Sequence, residues 1–235
     1  MTILTATSSE RGETFSGGLL AAGAVSLFIG TLLYIRLTPE LGLPALAAGR
    51  TQALADALTL GPQRMLFAGG WAFVGDCLLV AACVVLARHG SDLLASGWAL
   101  VGVSAMLAMV FDSMMAVALW PLAQGADAAP FLAMKAWFDF LFAAADVPFG
   151  TGVIAVLAAD AGRTRPLVTR SLRYFGMAVG AAAVVSGAAD VTGVAHPPLV
   201  MGLAVTLGCV VLAVLGVQIA RGAGASGELA DIAVT

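Results

Sequence analysis

Six long apolar segments constrain this chain more than any other feature of its sequence. About 20 apolar residues in a helix cross the roughly 30 Å hydrocarbon core of a bilayer. Hydrophobic residues make up 60% of the 235 positions and charged residues 11%, with a mean hydropathy of +1.00, whereas soluble domains carry about 25% charged residues. We therefore predict an all-α polytopic membrane helix bundle with about six transmembrane helices. The predicted spans cover residues 17–35, 64–88, 93–120, 131–159, 172–193 and 198–220.

The chain outside these spans divides into two terminal segments and one long connection. Residues 1–14 are polar, and we expect a mobile N-terminal segment before a single transmembrane bundle over residues 15–221. Residues 222–235 are Gly-rich and polar, which favours a disordered tail. The connection 36–63, placed on the outer side, has an apolar spacing that suits a short helix on the membrane surface or capping the bundle. An ordinary loop helix outside the membrane fits the same spacing.

The basic residues predict the orientation of the bundle. Cytoplasmic loops of membrane proteins carry an excess of Lys and Arg. With six spans, both termini lie on one side, and that side then holds most of the basic residues. We therefore predict cytoplasmic termini and a multi-pass protein of the plasma (inner) membrane. The cytoplasmic set is Arg11, Arg88, Arg163, Arg165, Arg170, Arg173 and Arg221, and the opposite set is Arg36, Arg50, Arg64 and Lys135.

Charge and motifs argue against several classes of function. A net charge of −3 with a single lysine does not suit nucleic acid, which is bound through basic patches. Cys77, Cys83 and Cys209 lie in apolar runs without CxxC spacing, so we predict neither a disulfide framework nor a zinc site. No HExxH, GxSxG or P-loop pattern occurs. We expect no metal and no cofactor, and the expected partners are membrane lipid and a lipophilic small molecule.

Five aspartates lie inside the predicted spans, where lipid disfavours charge. One charged side chain at the centre of a helix costs about 2.5–3.5 kcal/mol, so five ionised aspartates facing lipid would cost about 12–17 kcal/mol. They must therefore face the interior or water, form pairs, or carry protons. At about 1.5 Å per residue, all five lie roughly 5–22 Å below the assumed outer helix ends. This distribution predicts a cavity that opens outward or laterally and closes near mid-membrane. The five are Asp76, Asp112, Asp139, Asp146 and Asp190.

The fourth span places acids and aromatic rings on one face. Lys135, Asp139 and Asp146 fall within about 40° of one another at helical periodicity. Lys135 and Asp139 stand four residues apart, a spacing that permits an ion pair; a lysine that snorkels to the interface is the alternative. Trp71 and Trp137 are candidate walls for a cation or interfacial anchors. The aromatic residues beside the acids in this span are Phe131, Phe138, Phe142 and Phe149.

Two stretches carry a resemblance to known proteins. RMLFAGGWAFVGD (64–76) and YFGMAVGAAAVVSG (174–187), together with the long first connection, resemble a group of small six-span bacterial membrane proteins that has no assigned activity. More loosely, a compact bundle with isolated intramembrane acids and aromatic residues is similar to the membrane-bound terpene cyclases. That resemblance implies that embedded carboxylic acids protonate an epoxide or alkene, with Asp76 beside Trp71 and Asp146 in this role.

These patterns support three hypotheses of function. The first is an integral membrane enzyme that cyclises an isoprenoid substrate by protonation, because burial disfavours a charged carboxyl and a neutral acid donates a proton. Asp146 is the expected general acid, Asp76 its partner, and Asp112 and Asp139 supporting acids. The second is a proton-coupled transporter of a small molecule or ion, with acids towards both faces. The third is an accessory membrane subunit. The expected substrate-binding residues are Trp71, Trp137, Phe138, Phe142, Phe149 and Asp190.

Overall fold

The chain folds into helices joined by short connections. The structure, a computed structural model, describes residues 8–37, 39–45, 47–164, 166–194 and 197–232, and no strand occurs in these ranges. A π-helical segment, Met114–Ala118, interrupts the third long helix. In chain order the α-helices are α1 (Ser8–Leu37), α2 (Pro39–Gly42), α3 (Ala47–His89), α4 (Asp92–Ser113), α5 (Leu119–Ala123), α6 (Ala129–Ala161), α7 (Arg170–Val191) and α8 (Pro198–Ile232).

Six helical segments are long and apolar enough to cross a membrane. The predicted all-α architecture with six spans is confirmed, and it is that of a multi-pass membrane protein. The cytoplasmic location of both termini stays a prediction. The six segments are Thr14–Leu37, Ala47–Arg88, Asp92–Ala123, Ala129–Ala161, Arg170–Val191 and Leu199–Gly222.

The spans form a ring in chain order. Each long helix packs against the next, and α1 closes the ring against α8. The contact between α7 and α8 is the smallest in the ring, while α6 also touches α8. Helix α7 therefore lies at the periphery, behind α6. The interior is bounded by α1, α3, α4, α6 and α8.

Glycines bring the helix backbones close together. A Cβ atom on Gly97 of α4 would lie 2.9 Å from the backbone nitrogen of Val156 in α6. A Cβ atom on Gly17 of α1 would lie 2.7 Å from the carbonyl oxygen of Gly216 in α8. Such close approach stabilises helix pairs where lipid supplies no hydrophobic driving force.

Most of the predicted outer connection is helical. Residues 47–60, called here the helical arm, run directly into the second span, and the backbone turns at Gly61 (φ 74°, ψ 170°) before Pro62. Ala53 and Ala57 of the arm are fully buried. The arm therefore caps one end of the bundle. Capping was one of the alternatives predicted for this connection.

The terminal segments are helical as far as the structure describes them. Residues 8–14 begin α1 and residues 222–232 end α8, where the sequence favoured mobile and disordered segments. Residues 1–7 and 233–235, and Arg165 of the predicted cytoplasmic set, lie outside the described residues.

Candidate functional site

A small cavity lies inside the ring of helices. Its volume is about 50 Å³, which is room for a few water molecules. Residues of α1, α3, α4, α6 and α8 line it. Three of the five predicted aspartates meet here, Asp76, Asp112 and Asp146, and we call them the aspartate trio. The other polar and aromatic lining residues are Thr31, Tyr34, Ser104, Phe111, Phe142 and Phe149.

Asp112 on α4 and Asp76 on α3 are close enough for their carboxyl groups to interact electrostatically. The Tyr34 hydroxyl donates a 2.6 Å hydrogen bond to Oδ1 of Asp112. Oδ2 of Asp112 and both carboxyl oxygens of Asp76 are buried without a hydrogen-bond donor among the described residues. Two ionised carboxylates can only accept hydrogen bonds, so neither can donate one to the other. A proton carried by either acid would supply the missing donor between them.

The packing of α3 against α4 brings these two acids together. A Cβ atom on Gly69 would lie 2.5 Å from the backbone oxygen of Asp112, so a larger residue would separate the helices at this level. Asp76 follows Gly69 by seven residues and therefore lies on the same face of α3. The π-helical segment begins two residues after Asp112, and π-bulges are frequent at functional sites.

Asp146 enters the cavity from α6. Its Oδ2 atom is buried and has no hydrogen-bond partner among the described residues. A Cβ atom on Gly187 would lie 2.9 Å from Cβ of Asp146, so α7 packs directly behind this acid. No Lys, Arg or His belongs to the described lining of the cavity. The trio is therefore a group of three acids with no basic side chain among the described residues that line the cavity.

A second polar cluster lies between the arm and α6. Nζ of Lys135 donates hydrogen bonds to Oδ1 of Asp139 and, at 2.9 Å, to the carbonyl oxygen of Leu43. Nε of Arg50 donates a 2.8 Å bond to the other oxygen of Asp139. The predicted ion pair of Lys135 and Asp139 is confirmed, and Lys135 is fully buried rather than snorkelling. Asp139 therefore holds the arm and stands apart from the aspartate trio.

A larger pocket, called here the vestibule, lies beside this cluster. Its volume is about 310 Å³. Asp190, the fifth predicted aspartate, is part of its wall and not of the central cavity. The vestibule is lined by Pro44, Ala45, Ala47, Arg50, Ala136, Asp139, Phe140, Asp190, Gly193 and Val194.

Another buried aspartate, Asp160, lies at the other end of the bundle. Asp160 accepts a 2.7 Å bond from the backbone nitrogen of Leu167 and a longer one from that of Val168. Arg173 forms a 3.2 Å salt bridge with it. These bonds tie the connection after α6 to the bundle. The fourth predicted span ended at residue 159. The sequence prediction therefore missed Asp160, which lies on the side opposite the arm.

The aromatic candidates divide between interior and surface. Phe142 and Phe149 line the central cavity as expected. Phe138 is buried one layer away, with its ring beneath Nζ of Lys135 at 4.5 Å. Trp71 and Trp137 are 41% and 60% exposed and lie outside the cavity, because their positions on α3 and α6 face away from the ring interior.

Two partners of the acids escaped the sequence prediction. Tyr34 lies 78 residues from Asp112, and a tyrosine near a span end usually indicates an interfacial anchor. Arg50 lies 89 residues from Asp139, in a connection whose position was open. Among the described residues, no group of three or more His, Cys, Asp or Glu is placed to hold a metal ion.

Comparison with known proteins adds no relative. The chain matches no family model, no curated protein and no solved structure. The arrangement of its own side chains is therefore the basis for assigning a function.

Proposed function

We propose that the protein is a proton-coupled transporter of a small solute in the plasma membrane. The observation that carries this proposal is the aspartate trio, which shares one central cavity with no basic side chain among its described lining residues. Buried charges without partners are costly. Protons are counter-charges that fit a cavity of this size. The trio is then the site where protons bind and leave during transport.

The volume of the cavity favours protons over a terpenoid substrate. Pockets that enclose small organic ligands measure about 300–1,000 Å³, whereas this cavity measures about 50 Å³. A prenyl substrate therefore needs the helices around the cavity to separate, while protons and a few water molecules do not.

The packing around the trio suits alternating access. Two clusters of buried apolar side chains meet at the cavity: one includes Leu79 and Phe149, and the other includes Phe111 and Phe142. Such packing favours access to the trio through helix movements, as in a carrier rather than an open channel. Acids towards both ends of the bundle, from Asp190 to Asp160, also fit the transporter hypothesis.

Infrared spectroscopy of the purified protein tests proton binding without knowledge of the solute. The C=O stretching band of neutral carboxyls reports protons held by the trio. We expect this band to weaken in Asp76→Asn and in Asp146→Asn, and to stay unchanged in the control Asp56→Asn, a partly exposed residue of the arm. An unchanged band in both trio variants would contradict the proposal.

Proteoliposomes test the coupling. Vesicles that contain the protein and an internal pH dye are mixed with small amino acids, amines and organic acids under an imposed pH gradient. We expect at least one solute to move protons, with the response lost in Asp112→Asn and Asp146→Asn and kept in Asp56→Asn. A response that survives both substitutions would refute the role of the trio.

A membrane enzyme for a lipophilic isoprenoid is the second candidate function. The aromatic wall favours it, since Phe111 stacks on Phe142 with ring centroids 4.9 Å apart beside the acids, and aromatic faces stabilise cations. Asp146 would donate the first proton and Asp76 would be its partner. The purified protein, incubated with an epoxidised prenyl substrate, should then yield a cyclised product by mass spectrometry. No product, or a product kept in both Asp→Asn variants, would exclude this mechanism.

A further inference from the structure

The carboxyl groups of Asp76 and Asp112 have more oxygen atoms than hydrogen-bond donors to serve them. Both residues are buried, with exposed fractions of 0% and 1%. The Tyr34 hydroxyl supplies one donor, to Oδ1 of Asp112. Oδ2 of Asp112 and both oxygens of Asp76 have no donor among the described residues. Three buried carboxyl oxygens on two neighbouring helices are therefore placed to contact a positively charged ligand.

The described lining of the central cavity offers this pair of acids no positive charge. It contains no Lys, Arg or His. Two ionised carboxylates close together repel each other, and a buried charge without a partner is costly. One positive charge between the two carboxyls would lower both costs. A proton supplies that charge, and so does a monovalent metal ion, since either one leaves the pair with a net charge of minus one.

The size of the central cavity limits which cation it can hold. Its volume is about 50 Å³, whereas pockets for small organic ligands measure about 300–1,000 Å³. An organic ammonium ion therefore does not fit beside the two acids. A dehydrated sodium ion is smaller than a water molecule, and the cavity has room for such an ion together with one or a few waters.

The oxygen atoms around the cavity suit a monovalent ion better than a divalent one. Oxygen ligands are those that hard cations prefer. The hydroxyl groups of Thr31 and Ser104 also line the cavity, and Thr31 donates to the carbonyl oxygen of Leu27, so its own oxygen keeps lone pairs. Calcium takes about six to eight oxygen ligands, usually with several carboxylates, but no group of three acids among the described residues is placed to hold one metal ion. Two carboxyls with hydroxyl and water ligands are enough for a single positive charge.

We propose that the central cavity binds a sodium ion between the carboxyl groups of Asp76 and Asp112. The ion takes the place of a proton, which leaves to solvent, so the charge of the pair does not change. The use of sodium as a coupling ion rests on the proposed transport function, whereas its binding does not. The sequence alone predicts no metal, because the meeting of these two acids depends on the packing of α3 against α4.

A comparison of cations tests the site in the unmodified protein. Isothermal titration of the purified full chain in a non-ionic detergent, in a buffer free of alkali ions, would compare sodium, potassium and choline chlorides at one pH. We expect saturable sodium binding, at least about tenfold tighter than potassium binding because potassium is larger, and no saturable binding of choline. Equal affinities for sodium and potassium, or no saturable sodium binding, would overturn the proposal.

Infrared spectroscopy under the same conditions tests where the ion binds. Sodium that replaces a proton between the two acids should weaken the C=O stretching band of neutral carboxyls, whereas choline at the same ionic strength should leave the band unchanged. A band that keeps its full intensity at saturating sodium would show that the ion binds elsewhere, and would refute the assignment.

Matched variants test the two ligands. Asp76→Asn and Asp112→Asn should each weaken sodium binding at least about tenfold, since asparagine keeps the size of the side chain but lacks the negative charge. The control Asp56→Asn, at a partly exposed residue of the arm, should leave sodium binding unchanged. Circular dichroism of each variant establishes that it is folded. Unchanged sodium affinity in folded Asp76→Asn and Asp112→Asn proteins would contradict the proposal.

The outcomes separate the sodium site from the proposed transport. Sodium binding with the expected variant effects, but without gradient-driven proton movement in proteoliposomes, leaves the sodium site intact and refutes transport. Proton movement coupled to a solute, without saturable sodium binding, refutes the sodium site and leaves transport intact.

Discussion

Removal of the Asp139 charge is the most informative perturbation of stability. Lys135 is fully buried and has two hydrogen-bond acceptors, Asp139 and the carbonyl oxygen of Leu43, besides the ring of Phe138. In Asp139→Asn the ammonium group keeps the carbonyl and the ring but loses the carboxylate. Arg50 and Lys135 both pair with the Asp139 carboxylate. Without its negative charge, the repulsion between these two cations is uncompensated.

The expected loss of stability follows from this geometry. Removal of one partner of a buried ion pair costs about 3–5 kcal/mol. A lysine left in the interior of a span costs about 2.5–3.5 kcal/mol on insertion scales, which is consistent with that range. We therefore expect Asp139→Asn to lower the free energy of unfolding by about 3–5 kcal/mol.

A double substitution distinguishes loss of the pair from loss of packing. In Lys135→Met/Asp139→Leu both charges leave together, and apolar side chains replace them. We expect this protein to be at least about 2 kcal/mol more stable than Asp139→Asn, because well-packed apolar residues often replace buried pairs without loss.

The assay is reversible unfolding in mixed detergent micelles, followed by circular dichroism. The control is Asp56→Asn, a partly exposed aspartate of the arm whose carboxylate accepts a solvent-exposed hydrogen bond from Gln52. This substitution should change the free energy of unfolding by less than about 0.5 kcal/mol. If Asp139→Asn lies within about 1 kcal/mol of the wild type, or if the double variant is no more stable than the single one, the ion pair does not hold the arm as argued.

Three further substitutions test other parts of the fold by the same unfolding assay. Gly61→Ala should cost about 1–3 kcal/mol, because its φ of 74° and ψ of 170° lie in a region that essentially only glycine occupies, and nothing lies within 4 Å of its Cβ position. Gly18→Ala, in open space inside α1, should instead stabilise by about 0.5–1 kcal/mol, and a change of the same sign in both variants would contradict this. Gly150→Ala would place a methyl group against the carbonyl oxygen of Gly180 and should cost about 1–3 kcal/mol; an unchanged midpoint would show that α6 and α7 separate freely. Asp160→Asn should cost about 1.5–3 kcal/mol and increase proteolysis of the connection after α6, and an intact connection would refute its tethering role.

The number of spans was predictable because it depends on local composition. A run of about 20 apolar residues crosses a bilayer whatever its neighbours are, so each of the six segments carries its own signal. The pair of Lys135 and Asp139 was predictable for the same reason, since a spacing of four residues places both on one helix face. The helical arm was predicted only as one of several alternatives, since its apolar spacing does not say what it packs against.

The division of the aspartates was not predictable in this way. Depth estimates treat each helix alone, and they grouped Asp139 and Asp190 with the acids that line the central cavity. The ring order brings Arg50 of the arm to Asp139 and turns the end of α7 towards the vestibule. Trp71 and Trp137 face outward for a similar reason, because the rotation of a helix about its axis is set by its neighbours.

The sequence by itself determined that this chain is a bundle of six apolar helices with acids that lipid does not tolerate, because hydropathy and helical spacing act within single segments. The tertiary structure decided which acids meet, that Tyr34 serves Asp112 and that Asp139 holds the arm. These contacts join residues 78 and 89 positions apart. They depend on how glycines let neighbouring backbones approach, which the pattern within one helix does not specify.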